Sequence, residues 1–227
     1  TSQSNMNDLT IIFTTYNKVP KEWAKYHKQV LLEAIGDSPV ISVTKEPTSW
    51  GVNLLQEEYG VENLFRQFLR AAKIAATPYV AIAEDDTLYP KEHFEFRPPF
   101  DKIAYDLNRW AMLTWGEPFY FHKPHMCNAG MIAPRELLIK ALEERFAKYP
   151  RLPKMLQKEV GRNEFEKRCR VTEIPVELYY AAYPYVGLNH DGSVDFTQVT
   201  HRKRIWPVRA YDIPKWGKAE DLLKKFR

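Results

Sequence analysis

The sequence predicts a single α/β domain with a mostly parallel central sheet flanked by helices. Three observations carry this. Short apolar, β-branched runs alternate with segments of helical periodicity from Leu9 to Pro90. Two of those runs end in clusters that carry chemistry, Thr15-Tyr16-Asn17 and Glu84-Asp85-Asp86. The length, 227 residues, suits one domain with a short appendage.

The elements follow in order. Leu9–Thr15 (LTIIFTT) reads as a buried strand, because a run apolar on both faces is what a sheet covered by helices requires. Lys21–Ile35 reads as a helix that ends at Gly36 and Pro39. Val40–Thr44 is a second strand, followed by a polar loop to about Gly51. Glu62–Ala76 places Leu64, Phe65, Phe68, Leu69, Ala72 and Ala75 on one helical face, and Thr77-Pro78 stops it. Tyr79–Ala83 (YVAIA) is a third buried strand that runs straight into the three acids. In open α/β sheets ligands sit at the carboxyl ends of strands, where both clusters lie. Beyond this the pattern weakens. Periodicity leaves Ile103–Trp115 open between helix and strand; Pro134–Lys148 reads as a helix with Pro134 in its first turn. Pro150–Arg170 is charged and partly helical, and Val171–Val186 holds extended segments. The tail from Lys215 reads as an amphipathic helix with Leu222, Leu223 and Phe226 on one side.

Composition narrows the class. With 44% hydrophobic and 14% aromatic residues the chain can bury a core, which argues against disorder. Two cysteines, Cys127 and Cys169, are too few for a disulfide framework. No apolar run approaches a membrane span, and the polar start lacks a signal-peptide core, so a cytoplasmic protein is the expectation. The net charge of +4 does not imply nucleic acid but suits an anionic nucleotide ligand. We assign residues 1–8 to a tail or expression remnant, 9–214 to the domain and 215–227 to the terminal helix. Within the domain, 9–100 form the nucleotide-side half and 101–200 the acceptor-side half.

Two carboxylates at i and i+2 past a buried strand can share a hard divalent cation, which prefers oxygen ligands and keeps phosphate and water in its shell. Glu84 and Asp86 have this spacing; Asp85 faces elsewhere and suits a ribose or sugar hydroxyl. A solvated acidic loop is the bland alternative.

TPYVAIAEDDTLYP resembles the DxD region of GT-A glycosyltransferases, the family 2 type above all, and IIFTTYNK resembles their first strand and nucleotide-binding turn. The likeness spans about Leu9 to Pro90. It implies the GT-A (Rossmann-like) fold, a nucleoside-diphosphate sugar donor, usually a UDP-sugar, and Mn2+ or Mg2+. It implies that Thr14, Thr15, Tyr16 and Asn17 line the nucleoside pocket and that Asp86, with Glu84, holds the metal. Tyr16 can stack on a base, and Asn17 can read its edge. The sequence departs from the family pattern in three places. The first acid is Glu, the turn after the second strand is Lys45-Glu46-Pro47, and the usual Arg-Asn pair is absent. Glu46 is grouped with the nucleotide-side residues, and Arg66 and Arg70 are the candidates to meet the diphosphate.

In the second half, Asn128 and Gly130 form a candidate acceptor loop, with Trp115 as a sugar-stacking or core ring. Glu164 and Glu166 resemble the family's base region, and His190 its late metal-binding His. The alternatives are helix-surface pairing with Arg162, Lys167 and Arg168 for the acids, and a turn His bonded to Asp191 for His190. His122, His125 and Cys127 are zinc-binding types, but no second cluster completes four ligands, so an aromatic loop is preferred. The basic run His201–Arg204 and the cationic tail are a solvated face, or a contact to an anionic acceptor such as a lipid-linked sugar at the inner membrane face. The expected function is metal-assisted, inverting transfer of a sugar to a hydroxyl of a glycan, lipid-linked or other acceptor. A sugar nucleotidyltransferase and a non-catalytic binding module are the rivals. FTTYNK lacks the Gly-rich loop that opens a nucleotidyltransferase.

Overall fold

The structure, a computed structural model, describes residues 8–56, 61–190 and 205–227. The first half runs β1 (Leu9–Thr15), α1 (Lys21–Ile35), β2 (Val40–Thr44), β3 (Val52–Leu55), α2 (Val61–Ile74), β4 (Tyr79–Glu84) and β5 (Thr87–Leu88). The second runs β6 (Ile103–Asp106), β7 (Arg109–Leu113), β8 (Tyr120–His122), β9 (Met131–Pro134), α3 (Arg135–Lys148), α4 (Asn163–Arg168), β10 (Val176–Tyr179) and β11 (Tyr185–Asn189). β12 (Arg209–Ala210), β13 (Asp212–Ile213), β14 (Gly217–Lys218) and α5 (Ala219–Leu223) close the chain.

The central sheet has the order β10-β6-β9-β4-β1-β2-β3. β1 pairs in parallel with β2 and β4, and β2 with β3, while β9 is antiparallel to both β4 and β6. The sheet is therefore mixed and mostly parallel, as the alternating pattern predicts. Successive residues of β1 point to opposite faces. Ile12 joins Phe65, Phe68 and Ala72 under α2 and α3, whereas Leu9, Ile11 and Phe13 pack with Leu31, Ala34 and Ile35 of α1. Burial on both faces explains why these strands read as continuous apolar runs.

Ile103–Trp115, left open by periodicity, holds two strands, β6 in the central sheet and β7 in another. A second sheet, β12-β8-β7-β11-β5, was not anticipated; its strands of 2 to 5 residues are too short to show a period. It positions the site. β5, directly after the acids, pairs with β11, and the Leu188 amide donates to the Asp86 carbonyl at 2.7 Å. The terminal helix starts only at Ala219, after the β13–β14 hairpin, although Leu222, Leu223 and Phe226 are buried as expected.

Candidate nucleotide and cation site

β1 and β4 are neighbours with Thr14 opposite Glu84, so the two polar clusters emerge side by side at one sheet edge. The Thr15 hydroxyl hydrogen-bonds the Asp85 carboxylate across that gap, and the Asn17 amide donates back to Thr15 Oγ1 at 2.8 Å. Asn17 sits at φ 56, a left-handed conformation that Asn tolerates better than most residues. There its Oδ1 accepts from the amides of Lys45 and Glu46 at 3.0 and 3.1 Å. Asn17 thus ties the loop after β1 to the loop after β2, and its side-chain oxygen is spent on architecture.

Glu84, Asp85 and Asp86 are half-buried. Burial first, then the charge of Asp86, pushes the Glu84 carboxyl up to about 8; the same two causes raise Asp85 to about 7, against the Thr15 hydrogen bond. Crowded acids that resist ionisation favour a cation. Two carboxylates at this spacing fit a hard divalent ion whose shell is completed by phosphate and water. Among the described residues, no three His, Cys, Asp or Glu side chains converge on a cation position.

Two cavities flank this edge. One, of about 200 Å³, is lined by Thr14, Thr15, Tyr16, Val19, Leu64, Gln67 and the three acids, among others. The other, of about 310 Å³, lies on the α1 side, with Asn17, Glu46, Trp50, Lys21, Lys25 and Lys28. Trp50 packs on Phe13 with centroids 4.6 Å apart, and the Lys28 ammonium sits 4.8 Å from the Trp50 ring. A larger cleft, of about 480 Å³ between α1 and the C-terminal hairpin, shares no residue with the acid turn.

Other anticipated residues lie apart. Arg66 donates to the Pro150 carbonyl and stacks on Phe146 at 4.3 Å; Arg70 donates to the Leu55 carbonyl at 2.9 Å. Neither lines the two cavities, because both point off the α2 face that Leu64 and Gln67 turn toward them. Glu166 is 1% exposed and accepts from Arg145, the Gly161 amide and the Ile174 amide at 2.8, 2.8 and 2.9 Å. Those donors occupy the carboxylate and tie it to α3 and the flanking loops. Glu164 is exposed, 3.7 Å from Arg168. His190 is buried, its Nε2 2.7 Å from His27 Nε2 and its ring stacked on Trp23 at 4.7 Å. It packs against α1 and Phe226 and joins no metal-ligand group with Glu84 and Asp86. Trp115 is half-buried in the bend after β7.

The loop at 128–130 does approach the acids. The Glu84 amide donates to Tyr89 Oη, whose hydroxyl donates to the Ala129 carbonyl, each at 3.1 Å. Asn128 Oδ1 is buried without a hydrogen-bond partner. Gly130 answers a packing need: a Cβ there would lie 2.6 Å from Tyr185 Oη. His122 stacks on Trp110 at 5.0 Å, and His125 Nε2 accepts from Arg109 at 3.2 Å. Arg109 went unnoticed in the sequence. Burial works against its charge, but Cys127, Tyr185, Glu84 and Asp86 raise its pKa above the ordinary value. Glu159, ion-paired to Arg162 at 2.7 Å, is the acid of its segment that adds to the field at Glu84. Neither could have been found by spacing, since each reaches the site only through tertiary packing. The basic run His201–Arg204 and Asp191 lie outside the described residues.

No family model matches this chain, and no characterised protein matches it in sequence. Solved structures do. The inositol-1-phosphate CTP transferase from T. maritima superposes with a TM-score of 0.51 at 9% identity, over 86% of this chain and 94% of that one. The two share an α/β fold with a mixed, mostly parallel central sheet. A putative nucleotide-diphospho-sugar transferase from Desulfovibrio desulfuricans G20 gives a TM-score of 0.44 at 11% identity, over 86% and 87% of the chains. A mannosyltransferase from Pyrobaculum calidifontis in complex with GDP-Man and Mn2+ gives 0.44 at 14% identity, over 80% of this chain and 56% of that one. At these identities the likeness is one of fold.

Proposed function

We propose that the protein is a transferase that uses a nucleoside-diphosphate sugar, with UDP-sugar as the first candidate, and moves the sugar to an acceptor hydroxyl. One observation carries the reading: the crowded carboxylates of Glu84, Asp85 and Asp86 stand at the rim of a cavity walled by Tyr16, on a strand edge where this fold presents ligands. Glu84 and Asp86 would hold Mn2+ or Mg2+, which when bound supplies positive charge beside the departing diphosphate. The remaining roles belong to the chain. Tyr16, hydrogen-bonded to Asn63, offers a ring to the base, and Thr15 holds Asp85 in place to meet a ribose or sugar hydroxyl. Arg109 balances the acids from the second sheet. Asn128, with its unsatisfied oxygen, offers a contact to the acceptor. Glu159, whose charge is felt at Glu84, is put forward ahead of the exposed Glu164 and of Glu166, held by Arg145 and two amides, as the acid that takes the acceptor proton as the hydroxyl attacks.

The rival reading is nucleotidyl transfer, favoured by the likeness to the CTP transferase and disfavoured by the glycine-free loop after β1. A glycan, a lipid-linked sugar or another hydroxyl compound would be the acceptor. No helix among the described residues is long and apolar enough to cross a membrane, so a lipid-linked acceptor would be met at the membrane surface. Calorimetric titration with UDP, GDP, CDP and ADP, with and without Mn2+, tests the reading. Binding that requires the cation and is lost in Asp86→Asn supports it; no binding by any nucleotide with metal removes it. Incubation with nucleotide sugars, and separately with nucleoside triphosphates plus sugar phosphates, then separates release of a nucleoside diphosphate from the former, expected here, from release of pyrophosphate from the latter.

A further inference from the structure

α2 meets the cavity beside the acid turn through one face. Asn63 hydrogen-bonds Tyr16, and Leu64 and Gln67, one turn apart, line the space. Gln67 is 1% exposed, yet neither its Oε1 nor its Nε2 has a hydrogen-bond partner. A buried amide with both of its polar atoms unsatisfied is rare and costly in a folded protein. The other amide of this cavity, Gln56, is spent: its Nε2 donates to the Thr15 carbonyl at 2.7 Å. Gln67 is therefore a free donor and a free acceptor, side by side, in a lining that also holds Leu64, Val19, the ring of Tyr16, Lys18 and the acids. An aromatic ring, two apolar side chains and an unpartnered amide in one lining suit a flat heteroaromatic ring whose edge carries its own acceptor and donor.

We infer that Gln67 reads the edge of the donor's nucleobase and sets which nucleotide the protein accepts. Its N–H donates to a ring carbonyl and its carbonyl accepts from the adjacent ring N–H, as the O4 and N3–H of uracil would offer. The inference rests on the proposed donor site and deepens it. Asp86 and Glu84 answer for the cation and diphosphate; Gln67 answers for the base alone.

The test uses Gln67→Leu, with Gln67→Met as a second variant of similar length, and titrates UDP, CDP, GDP, ADP and inorganic pyrophosphate in Mn2+. If Gln67 awaits a ligand, its replacement by an apolar side chain removes two unsatisfied atoms, so the nucleotide-free variants unfold at the same or a higher temperature. Affinity for the preferred nucleotide falls on the order of ten- to a hundredfold, because its edge loses its partners. Pyrophosphate and the disfavoured nucleotides change less than about threefold, and discrimination collapses. Unchanged base preference in both variants overturns the assignment, as does a lowered unfolding temperature in both, which would make Gln67 a structural bridge. Binding without base preference in the unsubstituted protein also overturns it, while leaving the cation and diphosphate site standing. Failure of that protein to bind either nucleotides or pyrophosphate overturns both readings together.

Discussion

The acids of the two halves are used in opposite ways. At the end of β4, three neighbouring carboxylates share a half-buried turn, and their mutual repulsion holds Glu84 and Asp85 above the ordinary range after burial has done most of it. In the second half, Glu166 is more deeply buried but accepts hydrogen bonds from a guanidinium and two amides. Burial with three donors on one carboxylate marks a piece of architecture. Burial with like charges crowded together marks a place that gains by receiving a cation. Residue type and spacing do not separate the two; the partners do.

The sharpest way to break this comparison is Glu166→Gln. It leaves Arg145, 2% exposed, without its counter-charge. We expect a loss of about 3–5 kcal/mol in urea unfolding, the usual result of stranding one member of a buried pair. A loss under about 1 kcal/mol would mean that Glu166 is not the anchor of this region.

Asp86→Asn comes next. It removes one of the crowded charges, so the fold should be unchanged or slightly stabilised, while cation-dependent nucleotide affinity drops by at least about tenfold, or about 1.4 kcal/mol. The same site has a pH signature. The raised carboxyls, about 8 for Glu84 and about 7 for Asp85, keep protons in the folded state that the unfolded chain releases. Their contribution to stability is present below the ordinary carboxylate range and is lost as pH rises toward 8. Cation binding must displace those protons, so it tightens from pH 6 to 8 and releases protons, measurable by calorimetry in buffers of different ionisation heat. Proton-neutral binding would break the link between crowding and cation.

How much of this the sequence disclosed follows the same division. β1, β2 and β4 were legible because strands buried on both faces must be continuous apolar runs, and α1 and α2 because their apolar faces repeat at helical spacing. Thr15 and Asp85 were nameable because they sit at strand ends. Gln67 was not, since a Gln among Phe65, Phe68 and Leu69 gives no sign of which side it faces. Arg109 is carried on β7, in a sheet of strands too short to announce themselves, and Glu159 lies in an irregular segment that has no period at all. His190 shows the converse: its place in the sequence resembles that of a late metal-binding His, while tertiary contacts with His27, Trp23 and Phe226 pack it into a core.

That core yields a smaller prediction. Burial, then the field of His190, pulls His27 down to about 3. The unfolded chain takes up a proton near 6.5 that the folded chain refuses, so this contribution to stability is intact above pH 6.5 and is lost as pH falls toward 3. The slope is on the order of 1.4 kcal/mol per unit once well below 6.5. Glu84 and Asp85 push in the other direction, so the readout is the difference between the protein and His27→Gln in urea unfolding at pH 7.5, 6.5 and 5.5. Parallel curves would show that His27 can protonate in place.

The smallest effect is expected at Glu164→Gln. Its carboxylate is 76% exposed, and its ion pair with Arg168, at 3.7 Å one helical turn away, is of the solvent-screened kind worth about 0.3–0.5 kcal/mol. Stability should shift by no more than that, and sugar transfer, once a donor and acceptor are found, by less than about twofold, since nothing buries this acid beside a reacting hydroxyl. Glu159→Gln, measured beside it, should lower transfer at least about a hundredfold while donor binding stays within about threefold, because a base acts on the acceptor's proton and not on the nucleotide. A large loss in Glu164→Gln with none in Glu159→Gln would move the base to the helix surface. It would also show that exposure in the ligand-free chain is a poor guide to which acids of the second half work.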